Sequence, residues 1–352
     1  LLNTAVKSFE ENGDKLTVHF NDNSTIETDY VILSIGVRPD IKLAANAGLK
    51  IGEAKGILVN EYLQTSHPDI YAVGDAIEFK NPITKKSMST FLAGPANKQG
   101  RICANNIVNN NSSTYNGAIN TAIVKLFDLT VGTTGMAAKH LKGAAIPHLV
   151  STTRSSSHAS YYPNAKQLTI QITFSPDTQQ LLGAQVIGEE GADKRLDILA
   201  TLIKNKGTIY DLMEVEHAYA PPYSSAKDPV NMAGFVADNI INKTLRVEQW
   251  DIFETKFRQT PNAILIDVRN PDEFAGGAIE GAINIPIDIL RSKISELQKD
   301  APIFVYCAIG LRGYLAQRIL LQNGFTQVSN LSGGYTLWNT CKIEQGLSNK
   351  SI

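Results

Sequence analysis

The chain of 352 residues is 43% apolar and 19% charged, with a formal net charge of −1. This excludes a disordered chain, and it excludes the bulk basic surface that nucleic acid or an acidic membrane would select. The length predicts two or three domains, and no apolar run reaches the length of a spanning helix. The three cysteines, Cys103, Cys307 and Cys341, are an odd and sparse set that does not suit a disulfide framework. They suit a reducing cytoplasm, and no two have zinc-ligand spacing, so no metal site is expected.

The chain opens Leu1-Leu2, without Met, and enters a strand pattern with no cap before it, so we expect the first part of a longer protein to be missing. Leu16, Val18 and Phe20 alternate with polar residues ahead of Asn21-Asp22-Asn23, which predicts a hairpin. The continuous run Val31-Ile32-Leu33 predicts a strand buried on both faces, ended by the turn Gly36-Val37-Arg38-Pro39. A second hairpin-like stretch at 57–59, a buried strand at 70–73 ending in Gly74-Asp75, and a helix at 95–108 follow. The polar run 109–113 marks a boundary. Strands at 121–127, 167–174 and 181–188, then helices at 193–205 and 229–241, give an α+β order. From Trp250 onward strand and helix alternate (264–267, 288–298, 303–306, 312–323, 328–331, 335–345), the rhythm of a parallel sheet covered by helices.

Cys307-Ala308-Ile309-Gly310-Leu311-Arg312 follows the apolar strand Ile303-Phe304-Val305-Tyr306 and opens a helix whose apolar residues Leu311, Leu315, Ala316, Ile319 and Leu320 recur at helical spacing. Cys307 is therefore expected at the C-terminal end of a strand, in a tight loop, with its sulfur at a helix N-terminus. Ligands of open α/β sheets bind at that end. A helix N-terminus and converging backbone N–H groups favour a thiolate, and favour an anionic persulfide after sulfur transfer. Gly310 lets the loop fold back, and Arg312 supplies a fixed positive charge that can brace it. So short a loop encloses one sulfur atom, whereas cradling a phosphate takes a longer one. Taken alone, the same pattern also suits a buried structural cysteine before an ordinary helix.

Three further segments resemble the rhodanese family in the right order over about 100 residues. They are Ile264-Leu265-Ile266-Asp267-Val268-Arg269 with Asp272-Glu273-Phe274; Gly281-Ala282-Ile283-Asn284-Ile285-Pro286; and Leu331-Ser332-Gly333-Gly334-Tyr335 with Trp338. The resemblance implies that Cys307 is the sulfur-carrying nucleophile, with Gly310 and Arg312 shaping its loop, and that Asp267 and Arg269 orient the sheet end. The family often places His before its Gly-Ala-x-Asn turn, where this chain reads Gly277-Ala278-Ile279, a departure that bears on loop packing.

Thr65-Ser66-His67-Pro68-Asp69-Ile70-Tyr71-Ala72-Val73-Gly74-Asp75 is similar to the second flavin fingerprint of the pyridine nucleotide-disulfide oxidoreductases. The stretch from Leu92 to Arg101 resembles the helix start that follows in that family, and Val31 to Asp40 its return from the nicotinamide domain to the flavin domain. His217 to Pro229, around Ala220-Pro221-Pro222-Tyr223, resembles the coenzyme A-disulfide and persulfide or polysulfide reductase subfamily, in which a rhodanese domain is fused at the C-terminus. The resemblance implies three parts: a truncated Rossmann-like FAD/NAD(P)-binding domain (1–110), an α+β homodimerisation domain (111–245) and a rhodanese-like parallel α/β domain (250–352). It implies FAD bound through Gly74 and Asp75, with Asn97 and Arg101 beside it. It implies coenzyme A as substrate or ligand at Asn97 and Lys227, small sulfur compounds and thiols as partners, and Tyr161 (or Tyr162) and Tyr219 approaching the sulfur centre of the partner subunit. Packing at a dimer interface would account equally for the tyrosines, and a solvated charge for Lys227.

The chain contains no Gly-x-Gly-x-x-Gly, so the nicotinamide motif, and with it the choice of NADH or NADPH, is expected to lie outside it. The redox cysteine of the flavin domain is expected before position 1, leaving this chain unable to complete a reductase cycle alone. Two other functions remain open on these residues. One is a docking or sulfur-carrying module without turnover, and the other is an NADH oxidase with a vestigial tail.

Overall fold

The computed structural model describes residue 1 and residues 4–350, and the chain forms two compact units, residues 1–38 with the chain end from 339, and residues 39–338. In the first unit, Val6–Asn12, Lys15–Phe20 and Thr25–Thr28 form an antiparallel sheet. Val18 and Phe20 are its buried residues, as the alternation predicts. The strand expected at 31–33 does not form: Val31 to Val37 are irregular and Ile32 is 91% exposed. A strand needs neighbouring N–H and C=O groups on both edges to be buried, and among the described residues no strand flanks this run.

In the second unit, Ile57–Leu58, Ile77–Lys80 and Ser87–Met88 make a small mixed sheet. The expected strand at 70–73 shrinks to one bridge between Gln64 and Tyr71, and Ile70 and Val73 stay partly exposed. The run is caught between two turns, one closed by the Ile70 amide on the His67 carbonyl and the other the single 3-10 turn Gly74–Ala76. Too little extended chain remains for a ladder. The helix Ala93–Val108 follows, close to the predicted span.

Next comes a five-stranded antiparallel sheet in the order Ala122–Leu126, Leu129–Gly135, Leu181–Gly188, Gln167–Phe174, Leu149–Ser156. Helices Ala192–Lys204 and Pro229–Ile241 cover one face, the first on the strands at 129–135 and 181–188, the second on those at 149–156 and 167–174. Their shared core holds Ile170, Ile172, Phe174, Leu196, Leu199 and Val230. Pro229–Ile241 starts where it does because Asp228 caps it, accepting from the Val230 amide at 3.0 Å, and because Pro229 stands at the first helical position.

Asp228 is also the partner of the fully buried Arg195, at 2.7 Å between Nη2 and Oδ2, and it accepts from the Ser224 hydroxyl. Burial works against the charge on Asp228, but the hydrogen bonds from Arg195, Ser224 and the Val230 amide prevail and hold its carboxyl below the usual carboxylate range. Arg195 spends further donors on the carbonyls of Ser157 and Gly191. Nearby, the His217 ring is almost wholly buried and neither nitrogen has a hydrogen-bond partner. Burial pushes its pKa down, which outweighs the pull of Asp228 and is reinforced by Lys194 and Arg195.

The last part is a parallel five-stranded sheet in the order Val247–Glu248, Val328–Leu331, Ile303–Tyr306, Ile264–Asp267, Ala282–Asn284. It is buried on both faces. One core gathers Ile266, Val268, Val305, Ala316 and Leu320 under the helix Leu311–Gln322. The other gathers Phe253, Leu265, Phe304, Tyr306 and Trp338 under Trp250–Gln259 and the first turn of the last helix, which carries Tyr335 and Trp338. The sheet starts before Trp250, because the connecting segment supplies its edge strand.

Replacing Arg195 with Met leaves Asp228 buried and unpaired, and is expected to cost about 3–5 kcal/mol, measured as a lower denaturant midpoint. His217 is a depressed base: its contribution to stability is present above its unfolded pKa of about 6.5 and is lost as pH falls toward the folded value. His217→Phe is therefore expected to flatten the fall in thermal stability on the acid side of that pH, and an unchanged slope would refute the assignment.

Candidate functional site

Cys307 lies where the third of the parallel strands ends and the helix Leu311–Gln322 begins. Its side chain is 1% exposed and is backed by Ile266, Val268, Val305 and Ala316. Hydrocarbon lies behind the sulfur, but the turn in front of it is polar: the Gly310 N–H points inward and donates to Sγ at 3.2 Å. The loop is held in this sense from outside. The amides of Tyr335 and Thr336 donate to the carbonyls of Cys307 and Ala308 at 2.8 and 3.0 Å, and Asn330 Nδ2 donates to the Gly310 carbonyl. With carbonyls drawn outward, an amide is left free to face the sulfur.

Two glycines make this possible. Gly310 has φ +112°, a conformation a side chain opposes. At Gly334, φ is +69° and a Cβ would stand 2.5 Å from the Ala308 carbonyl oxygen, so nothing larger fits between the loop and the start of the last helix.

Arg312, one turn along, is gripped by Glu273, with Nη1 on Oε2 and Nη2 on Oε1, both at 2.7 Å. Glu273 belongs to the short helix Pro271–Ala275, where it closes a capping box by accepting from the Asn270 amide. The hydrogen bonds from Arg312 hold the Glu273 carboxyl at about 2. The guanidinium is raised in turn, chiefly by its hydrogen bonds to Glu273. Sequence reasoning noted Glu273 only as part of a signature. Its pairing with a residue 39 positions later carries no local signal.

Behind the loop, Asp267 and Arg269 form a buried pair, with Nη2 to Oδ2 at 2.6 Å. Arg269 also lies over the Tyr335 ring at 4.1 Å and donates to the Gly277 carbonyl. This pair ties the sheet end to the helix that holds the loop and does not approach the sulfur as a reactant. Gly277, beside the departure from the rhodanese pattern, is thus fixed through its backbone.

A cavity of about 440 Å³ opens on the loop. Ile309, Gly310, Leu311, Ser332 and Gly333 form one wall, and Arg154, Lys227, Met232, Phe235 and Val236 the other. Two cations and no carboxylate line it. Burial lowers the pKa of the Arg154 guanidinium, whose Nε has no hydrogen-bond partner. The structure therefore brings Gly310 and Lys227 together, whereas Asn97 is not among the lining residues.

The other expected site residues fall into two groups. Tyr161 and Tyr219 lie near one another, and the Tyr219 hydroxyl holds the Tyr161 phenol above its ordinary value. Both are exposed, as is Tyr162. Gly74 and Asp75 form the 3-10 turn beside the helix Ala93–Val108. The Gly74 amide is held by Gln99 Oε1 at 2.7 Å, and Gln99 is fully buried with its Nε2 unpartnered. Asn97 donates to the Ala93 carbonyl and Arg101 is exposed. The helix has no side-chain cap, so its first N–H groups are open. An exposed carboxylate beside an uncapped helix N-terminus, with the orphaned donor of Gln99 below, fits one edge of a flavin nucleotide. Among the described residues, no cluster of His, Cys, Asp and Glu could hold a metal ion. Nor is any helix long and apolar enough to cross a membrane.

Residues 1–100 match the pyridine nucleotide-disulphide oxidoreductase family, 121–229 its dimerisation domain and 252–341 the rhodanese-like domain. The chain is similar to reduced CoADR-RHD from Bacillus anthracis, at 45% identity and a TM-score of 0.92 over 97% of this chain and 60% of that one. It is similar to the NAD-dependent persulfide reductase of A. fulgidus, at 35% identity and a TM-score of 0.87 over 95% of this chain and 60% of that one. It is 36% identical over 221 residues to an NADH oxidase of Methanocaldococcus jannaschii, covering 62% of this chain and 48% of the relative. The chain thus spans about half the length of that curated relative and 60% of each of those solved chains. It joins a pyridine nucleotide-disulphide oxidoreductase portion and that family's dimerisation domain to a rhodanese-like domain on their C-terminal side.

Proposed function

We propose that this chain is the sulfur-handling portion of a flavin-dependent coenzyme A-disulfide or persulfide reductase, in which Cys307 accepts sulfane sulfur and passes it on as a persulfide. The observation that carries the reading is the Gly310 N–H aimed at the Cys307 sulfur at the start of a helix, whose second residue, Arg312, is held in place by Glu273. Burial opposes charge on a sulfur, but a converging amide, a helix N-terminus and a guanidinium each favour it. The thiolate attacks the outer sulfur of a donor R–S–SH. The new bond is Cys307 Sγ–S, the donor S–S bond breaks, and R–S⁻ leaves, so no net oxidation occurs and the proton stays on the transferred sulfur or passes to solvent. In the reverse sense an acceptor thiolate attacks the Cys307 persulfide.

The cavity on the loop supports an anionic, partly apolar carrier thiol such as coenzyme A. Arg154 and Lys227 suit its phosphates, and Met232, Phe235 and Val236 suit its chain. Asn97 is kept as a border of the flavin rather than of this cavity. Gly74, Asp75 and Arg101, with the open start of the helix Ala93–Val108, would hold the ribityl and pyrophosphate edge of FAD. When bound, FAD supplies two-electron transfer from NADH or NADPH. Tyr161 and Tyr219 lie together and exposed, and in a homodimer a phenol there can donate a proton to a thiolate leaving group. The exposed Ile123, Val124, Leu126 and Phe127 on the outer hairpin support such a dimer.

Exposure to a low-molecular-weight persulfide is expected to leave the chain heavier by one sulfur atom on the peptide containing Cys307. Cys307→Ser is expected to abolish both that adduct and sulfur transfer from thiosulfate. Undiminished turnover in the Ser variant rejects the reading. An adduct confined to Cys103 or Cys341 rejects it equally.

A further inference from the structure

The Glu273–Arg312 contact is unusual in its placement. Glu273 comes from the short helix after the Ile264–Asp267 strand, Arg312 from the helix after Cys307, and the two are joined by two parallel hydrogen bonds of 2.7 Å. Both side chains are about a third exposed, so the pair contributes little to folding as an ion pair. A guanidinium fixed this firmly at the first turn of the helix behind the Cys307 loop is better understood by what its charge does to the sulfur that the loop carries. Glu273 is itself immobilised by the Asn270 amide, at the start of a helix nucleated by Pro271. The chain of restraint therefore runs from the Asn270 backbone through the carboxylate to the guanidinium, on the second residue of the helix that opens behind the Cys307 loop.

Resting on the persulfide reading of Cys307, we propose that Glu273 is a positioning residue for sulfur transfer: its carboxylate fixes the Arg312 guanidinium where it can hold an anionic sulfur on Cys307. The alternative physical role has the opposite sign. A carboxylate that acts only through its own negative charge disfavours a nearby thiolate, so removing it would make the sulfur more readily ionised. A carboxylate that acts by holding Arg312 favours the thiolate, so removing it frees the guanidinium to solvent and makes ionisation harder. The long, flexible arginine side chain makes the second effect substantial once its fork has no matching acceptor. The neutral amide of Gln keeps the shape but cannot accept both N–H groups.

The test is the pH profile of iodoacetamide modification at Cys307, read by peptide mass spectrometry. It is run on the wild type, Glu273→Gln, Arg312→Ala and the double variant, with sulfur transfer measured in parallel. Expected are an upward move of the alkylation midpoint in Glu273→Gln and a fall in transfer of up to about a hundredfold, the scale of loss when a reacting group is misplaced by about 1 Å. Adding Glu273→Gln to Arg312→Ala is expected to change neither quantity further. A midpoint that falls or stays in Glu273→Gln overturns the proposal, as does an undiminished effect of that change in the Arg312→Ala background. If the wild type takes up no sulfur, the persulfide reading fails. The alkylation profiles still decide whether Glu273 acts through Arg312.

Discussion

The sulfur site depends on the direction in which four peptide groups point. Cys307 and Ala308 give their carbonyls to the amides of Tyr335 and Thr336, and Gly310 gives its carbonyl to Asn330. Once those acceptors are engaged on the outside of the loop, the Gly310 amide is free to turn to the sulfur. Backbone groups cannot be left unpaired in a buried place. The orientation of the loop is thus decided by the segment from Asn330 to Thr336, far from Cys307 in sequence. Gly334 is the tightest point of this arrangement, because the Ala308 carbonyl occupies the place a side chain would take. The Arg269–Asp267 pair and its stacking on Tyr335 then fix that segment to the sheet.

What the sequence disclosed follows from the range of the forces involved. Elements stabilised by their own periodicity or caps were legible: the strands Gln167–Phe174 and Leu181–Gly188, the helix Pro229–Ile241 with Asp228 before it, and the strand–loop–helix around Cys307. The apolar runs at 31–33 and 70–73 misled, because an apolar run states only a wish to be buried and not the presence of a partner. At the candidate site, Cys307, Gly310 and Arg312 are singled out by their place between a strand and a helix together with the three rhodanese-like segments around them. Glu273, Gln99 and Arg154 are not, because each owes its place to a contact across the fold rather than to its neighbours in the chain. Lys227 lay between these cases: its motif was visible, but its shared cavity with Gly310 was not.

The buried polar cluster beside that cavity has a different character from the sulfur site. Arg195, Asp228 and Ser224 satisfy one another and two backbone carbonyls, and the cluster ends in the cap of the helix Pro229–Ile241. A charged pair this deep is a poor source of net stability, since desolvation offsets most of the attraction. Its effect is geometric. It fixes the start of the helix that carries Met232, Phe235 and Val236, and with it one side of the cavity on the Cys307 loop.

The strand Val247–Glu248 belongs to the connecting segment yet pairs with Val328–Leu331 as an edge of the parallel sheet. Arg246 gives its amide to Gln317, and Gln249 reaches the Val150 carbonyl on the antiparallel sheet. The passage between the two modules is therefore tied into both, and turning one against the other would have to break a strand pairing or the Gln249–Val150 bond before anything else gave way.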